Sequence, residues 1–304
     1  MNANVATVAP PPALLRRAGP LDTMLALVRR ELWEHPALWR APLVVEALLA
    51  VALLLGRMNL DLPDGVLTHE QRVAILTIGQ WVAAQPVFIV TGVVVGFYLL
   101  DCLFAERKDR SILFWKSMPL SDGFTVASKF VVAAVVVPLG VFVIATLADL
   151  VFMAIFAVRA PGTLGWSTYE WLRTEVVLLL EVVLSVLWYA PIAAALLLFS
   201  AWIRRAPILW ATLVPLVAPI LERVALGTHY IADFERYRMS GIWHKLIAGP
   251  NQFGDLHHLF PVGIVLDKFD LAGVFTDVDL WLGVLAAGAM LYAAARVRRY
   301  RDDS

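Results

Sequence analysis

Charge and cysteine are scarce in this chain. Its single cysteine, Cys102, excludes an internal disulfide and any cysteine-based metal set. Only 16% of the 304 residues are charged, whereas soluble domains carry about 25%. Net charge is zero, which removes any global case for nucleic-acid binding. There is no G-x-x-x-x-G-K-[ST] phosphate loop, no His-Glu-x-x-His and no Gly-x-Ser-x-Gly. A chain without these carries neither a P-loop nucleotide site nor a familiar hydrolytic centre. Residues 1–20, with Pro10-Pro11-Pro12 and Arg16-Arg17, lack the apolar core of a secretory signal. They read as a flexible tail on the cytoplasmic side.

Apolar residues are abundant, at 60% of the chain, and mean hydropathy is +0.75. The excess has to face lipid. A helical crossing needs about 20 mostly apolar residues. Six stretches qualify: 41–56, 73–103, 129–158, 171–202, 207–226 and 280–297. The reading is an all-α polytopic membrane protein, with residues 21–304 as one domain. Pro86, Pro138, Pro191, Pro215 and Pro219 fall inside these stretches, where neighbouring helices re-satisfy the freed backbone groups.

Basic residues give the orientation. Arg16, Arg17, Arg29, Arg30, Arg40, Arg107, Lys108, Arg110, Lys116, Lys129, Arg204, Arg205, Arg296, Arg298, Arg299 and Arg301 share one side, sixteen of the 25 Lys and Arg. That side is expected to be the cytoplasm, with both termini in it. The opposite side has one large element, 227–279, rich in aromatic residues and histidine. It is expected to form short helices at the outer surface.

Residues 21–40 differ from the spans. Leu21, Leu25, Val28, Leu32, His35 and Trp39 form an apolar stripe, with Arg29, Arg30, Glu31 and Glu34 opposite. This is an amphipathic helix leading into the first span. The loop 105–122, Ala-Glu-Arg-Lys-Asp-Arg-Ser-Ile-Leu-Phe-Trp-Lys-Ser-Met-Pro-Leu-Ser-Asp, is the longest on the basic side. It mixes charges with exposed aromatic residues.

These features together resemble the permease subunit of ABC-2-type ABC transporters. The local match is Glu106-Arg107, Ile112-Leu113-Phe114, Ser117-Met118-Pro119-Leu120-Ser121 and then Lys129, with Val28-Arg29-Arg30-Glu31-Leu32 as the elbow helix. Trp115-Lys116 and Asp122 depart from the family pattern. The resemblance implies six spans and a coupling helix between spans two and three. It implies export driven by ATP and magnesium on a separate ATP-binding subunit, so that this chain is not itself an enzyme. It also implies a second permease copy or paralogue, and residence in the bacterial inner membrane. Under it, Glu106, Arg107, Arg110, Ile112, Phe114, Trp115, Met118 and Pro119 contact the ATP-binding subunit. Arg29, Arg30, Glu31 and Leu32 belong to the elbow. A stand-alone secondary transporter and a membrane-embedded enzyme are the alternatives.

Carboxylates inside a bilayer mark functional sites by default. Glu46, Asp149 and Glu181 are the candidate pathway residues, the alternative for each being a packing role. Glu222 and Arg223 are expected to pair. His229, His244, His257 and His258 with Asp255 match no metal-ligand spacing and read as interfacial residues.

Overall fold

The computed structural model describes residues 19–56, 69–118, 120–159, 168–246 and 271–300. Every regular element among them is helical. A short helix α1, Pro20–Glu34, precedes α2, Ala37–Leu55. The long α3, His69–Lys108, is followed by the two-turn α4, Ser111–Ser117. Next come α5, Asp122–Val131, a π-helical turn, Val132–Val136, and α6, Val137–Arg159. Then follow α7, Thr168–Trp202, α8, Pro207–Leu226, and α9, Tyr230–Leu246. The last described elements are α10, Leu271–Thr276, and α11, Val278–Tyr300.

Six of these segments are long and apolar enough to cross a membrane: Ala37–Leu55, Ala83–Lys108, Asp122–Ile155, Thr168–Trp202, Pro207–Leu226 and Val278–Tyr300. This is the signature of an integral membrane protein, and it matches the six stretches read from hydropathy. The bounds shift by up to ten residues; spans such as Asp122–Ile155 and Val278–Tyr300 start before the apolar run, because a helix continues past it until its end groups find partners. The spans alternate in direction. The ends of α3, α7 and α11 therefore meet the starts of α5 and α8 at one end of the bundle, called the basal end below.

The third span shows how sequence produces a local irregularity. Pro138 has no N–H, so it cannot bond the carbonyl one turn earlier, and its ring crowds that carbonyl. The π turn lies directly before it, and Val137 N–H reaches back five residues to the Val132 carbonyl. One extra residue is thus accommodated where the α ladder is interrupted.

Packing is closest where side chains are smallest. α7 stands at the centre, against α3, α6 and α11. Ala190, Ala194 and Ala287 form a buried contact between α7 and α11. Small residues let membrane helices approach closely without any hydrophobic drive between them. The main core gathers Leu38, Val87, Leu99, Val126, Val141 and Leu197 from five elements. α8 is different: among its residues only Pro207 and Glu222 are buried.

At the far end, α9 docks on α7 and α11 through polar contacts. Trp188 Nε1 and the Tyr189 hydroxyl donate to the carbonyls of Arg238 and Met239, at 2.9 and 2.8 Å. The Tyr237 hydroxyl donates to Asp279 at 2.6 Å. Burial and that carboxylate push the Tyr237 phenol up to about 12. The expected Glu222–Arg223 pair does not form. Glu222 caps α9 instead, accepting from the N–H groups of Tyr230 and Ile231 at 2.8 and 2.7 Å and from the Thr228 hydroxyl at 2.7 Å. Four N–H groups at a helix start have no partner within the helix, and a carboxylate satisfies them better than it would a solvated arginine. Residues 247–270, with His257, His258 and Asp255, lie outside the described residues.

Candidate functional site

Five charged side chains from four elements meet at the basal end. Lys129 of α5 places its ammonium 2.8 Å from Glu31 of α1 and 3.1 Å from Glu106 of α3. Arg298 of α11 reaches the other Glu106 oxygen at 2.8 Å and Asp122 of α5 at 3.0 Å. Glu31 and Lys129 are each 1% exposed. The Tyr98 hydroxyl donates to Glu31 Oε2 at 2.9 Å, and His35 stands edge-on to the Tyr98 ring. Three carboxylates thus share two cations in a chain running from α1 to α11. Removing ions from water costs several kcal/mol each, and only close pairing of this kind offsets it.

The chain corrects the reading of α1. The expected apolar stripe is divided: Val28 and Leu32 pack against the main core, while Leu21, Leu25 and Trp39 are exposed. The bundle-facing side carries Leu27 and Glu31, and Glu31 was expected on the polar face. The reason is electrostatic. A buried Lys129 on α5 requires a carboxylate from α1, so the helix turns Glu31 inward beside Leu27, and the first-turn Leu21 and Leu25 are left outside.

α4 is held against this chain. Arg110 adopts φ 57°, a left-handed conformation that turns the backbone sharply between α3 and α4. The Arg30 guanidinium of α1 lies 3.5 Å over the Trp115 ring, and Arg30 also pairs with Glu34 at 2.7 Å. Ile112 packs inward and is buried. Leu113 and Phe114 point away, at 61% and 60% exposure. Of the described residues assigned by resemblance to a partner contact, Arg110 and Phe114 are exposed, Arg107, Trp115 and Met118 are half-buried, and Glu106 and Ile112 are buried. Glu106 is an internal ion partner. Arg107 donates to the Ser200 and Ile203 carbonyls at 2.6 and 2.8 Å, tying α3 to the end of α7. Pro119 lies outside the described residues. Arg29 is exposed over Trp33, and Leu32 packs against the core.

Acidification should weaken this assembly. Burial would raise the Glu31 carboxyl, but the Lys129 ammonium and the Tyr98 hydroxyl outweigh it and hold it below its ordinary 4.5. Burial pushes His35 below its ordinary 6.5, against the pull of Glu31 3.9 Å away. Both shifts carry one sign: the unfolded chain binds more protons than the folded one. The Glu31 contribution is present above about pH 4.5 and is lost as pH falls through its lowered value. The His35 penalty begins as pH falls through 6.5. The melting temperature of the detergent-purified chain should therefore drop between pH 7 and pH 4, and Glu31→Gln should flatten the part below 4.5. A wild-type melting temperature constant across that range would contradict this assignment.

A second buried polar group lies higher in the bundle. Gln80 of α3 donates to Asp149 of α6 at 3.3 Å. Glu175 of α7 and Glu46 of α2 both act on the Asp149 carboxyl, and the Thr146 hydroxyl donates to Glu175 at 2.7 Å. The structure thus brings together two of the three expected pathway carboxylates, Glu46 and Asp149. Glu181 is buried further along α7. No group of three or more His, Cys, Asp or Glu among the described residues is arranged to hold a metal ion. Because Gln80 and Asp149 are both buried, Gln80→Leu should cost about 1–3 kcal/mol by leaving a buried acceptor unmatched. A thermal-shift comparison with the parent reads this directly, and an unchanged midpoint would sink it.

No protein-family model, curated protein or solved structure matches this chain.

Proposed function

We propose that this chain is the membrane-spanning subunit of an ATP-driven exporter, coupled through α4 to a separate ATP-binding subunit. The observation that carries the reading is the construction of the basal end. α4 presents Leu113 and Phe114 outward while its inner side is fixed to α1 through Arg30 and Trp115. The adjoining Glu106–Lys129–Arg298 chain links the same region to the spans on either side. A push on α4 is then delivered to α1, α3, α5 and α11 together. Apolar knobs on a small helix flanked by charges suit a groove on a soluble protein, with the charges setting orientation. In this reading α1 is the elbow helix, α4 the coupling helix, and the basal end faces the cytoplasm of a bacterial inner membrane. The positive-side distribution of Lys and Arg supports that orientation.

A second copy or a paralogue completes the unit. The two spans least covered within the chain are α2 and α8. They offer continuous apolar faces, including Leu48, Leu55, Leu216 and Val224. The pathway then runs beside the Glu46–Asp149–Glu175 group.

The test is co-purification. The tagged chain, extracted in mild detergent, should bring down a soluble subunit that hydrolyses ATP, and the reconstituted pair should show ATPase activity. Repeated recovery of a well-folded chain alone would overturn the proposal.

A further inference from the structure

A cavity of about 590 Å³ opens on the outside of the bundle near the basal end. One wall is the junction of α1 and α2, with Leu32, Pro36 and Arg40. The other is the π turn and the start of α6, with Val137, Gly140 and Ile144. The floor is apolar. At Gly140 an added Cβ would meet no atom within 4 Å, so the groove passes directly over this backbone. Trp33 and Trp39 line the same groove and are 76% and 44% exposed. Tryptophan at such a level marks the boundary between hydrocarbon and headgroups.

Arg40 is the charged residue of this groove. It is exposed, stands 5.1 Å over the Trp39 ring, and has no carboxylate partner among the described residues. This contrasts with Arg30 and Arg298, each paired with an acid. An apolar channel ending at an unpaired cation at interface depth is complementary to one class of molecule: an apolar chain with an anionic head.

We propose that this groove is a binding site for one anionic phospholipid, its acyl chain lying over Gly140 and its phosphate on Arg40. The occupant comes from the bilayer itself, because the groove opens sideways into it. Arg40 supplies headgroup preference and the apolar walls supply retention. The site does not depend on ATP-driven coupling, since α4 and its outward residues take no part in it.

Native mass spectrometry of the delipidated full chain tests this, with phosphatidylglycerol and phosphatidylcholine of identical acyl chains in equal amounts. One basic side chain at an anionic surface gives about a fivefold preference. The wild type should therefore retain one phosphatidylglycerol about fivefold over phosphatidylcholine. Arg40→Gln should abolish the preference while still retaining lipid, and Gly140→Leu should lower occupancy by both. Arg296→Gln, exposed elsewhere at the basal end, should leave the preference intact. Equal retention of the two lipids by the wild type overturns the proposal, as does a preference that survives Arg40→Gln. Arg40 is exposed and makes no buried contact, so this variant reports even where Gly140→Leu does not fold. Recovery of the ATP-binding subunit should be unchanged by Arg40→Gln. Loss of lipid preference and loss of coupling are therefore separate results.

Discussion

Replacing Lys129 with methionine should lower the stability of the chain by about 3–5 kcal/mol, the cost of removing one partner from a buried ion pair. The magnitude follows from what is left behind. Glu31 would keep the Tyr98 hydroxyl but lose its cation, and Glu106 would keep Arg298 alone. Both carboxylates lie beyond the reach of bulk water, at 1% and 6% exposure. The double variant Glu31→Gln/Lys129→Met removes the stranded charge with the cation, and it leaves the Glu106–Arg298 pair intact. It should recover a measurable part of the loss, since residues in one ion network couple by about 0.5–3 kcal/mol. Denaturation midpoints of the parent, both single variants and the double variant in one detergent close the cycle. Additive effects within error would show that Lys129 and Glu31 do not hold α1 to α5.

Leu113→Ala with Phe114→Ala should reduce recovery of the proposed ATP-binding subunit by about a hundredfold or more. Exposed anchor residues at the centre of an interface cost about 2 kcal/mol or more each when truncated, and each 1.4 kcal/mol is a factor of ten. Both side chains are largely solvent-facing in the chain alone. Their removal should therefore leave stability within about 0.5 kcal/mol of the parent, as for other surface substitutions. That separation makes the pair informative. Glu106→Ala would not be: it breaks the buried ion chain and would weaken partner recovery by damaging the fold. Ile112→Ala has the same defect, because Ile112 is buried behind α4. A partner recovered in full by the folded double variant would show that α4 is not the contact.

The spans were legible because membrane crossing is a local property. Twenty apolar residues in a row satisfy their backbone internally and face lipid wherever the rest of the chain goes. Hydropathy alone thus gave six segments, and α8, Pro207–Leu226, runs over the very residues expected. The region of α4 was legible for a related reason: aromatic and charged residues mixed between two apolar runs have no place in lipid.

The partners of the charges were not legible. Glu31 reads as a surface residue from its helical position, and Lys129 as the opening of a span. Their 2.8 Å pair joins residues 98 positions apart, and the Arg298–Glu106 pair joins residues 192 apart. No local periodicity encodes such a meeting. The same holds for Glu46, Asp149 and Glu175, brought together from α2, α6 and α7. By itself the sequence determined what must sit in lipid, because that depends on each segment alone. The tertiary structure decided which way α1 turns, which charges neutralise one another and which face of α4 stays free. Those outcomes depend on offsetting the cost of burying a charge, and only a partner from elsewhere in the chain can do so.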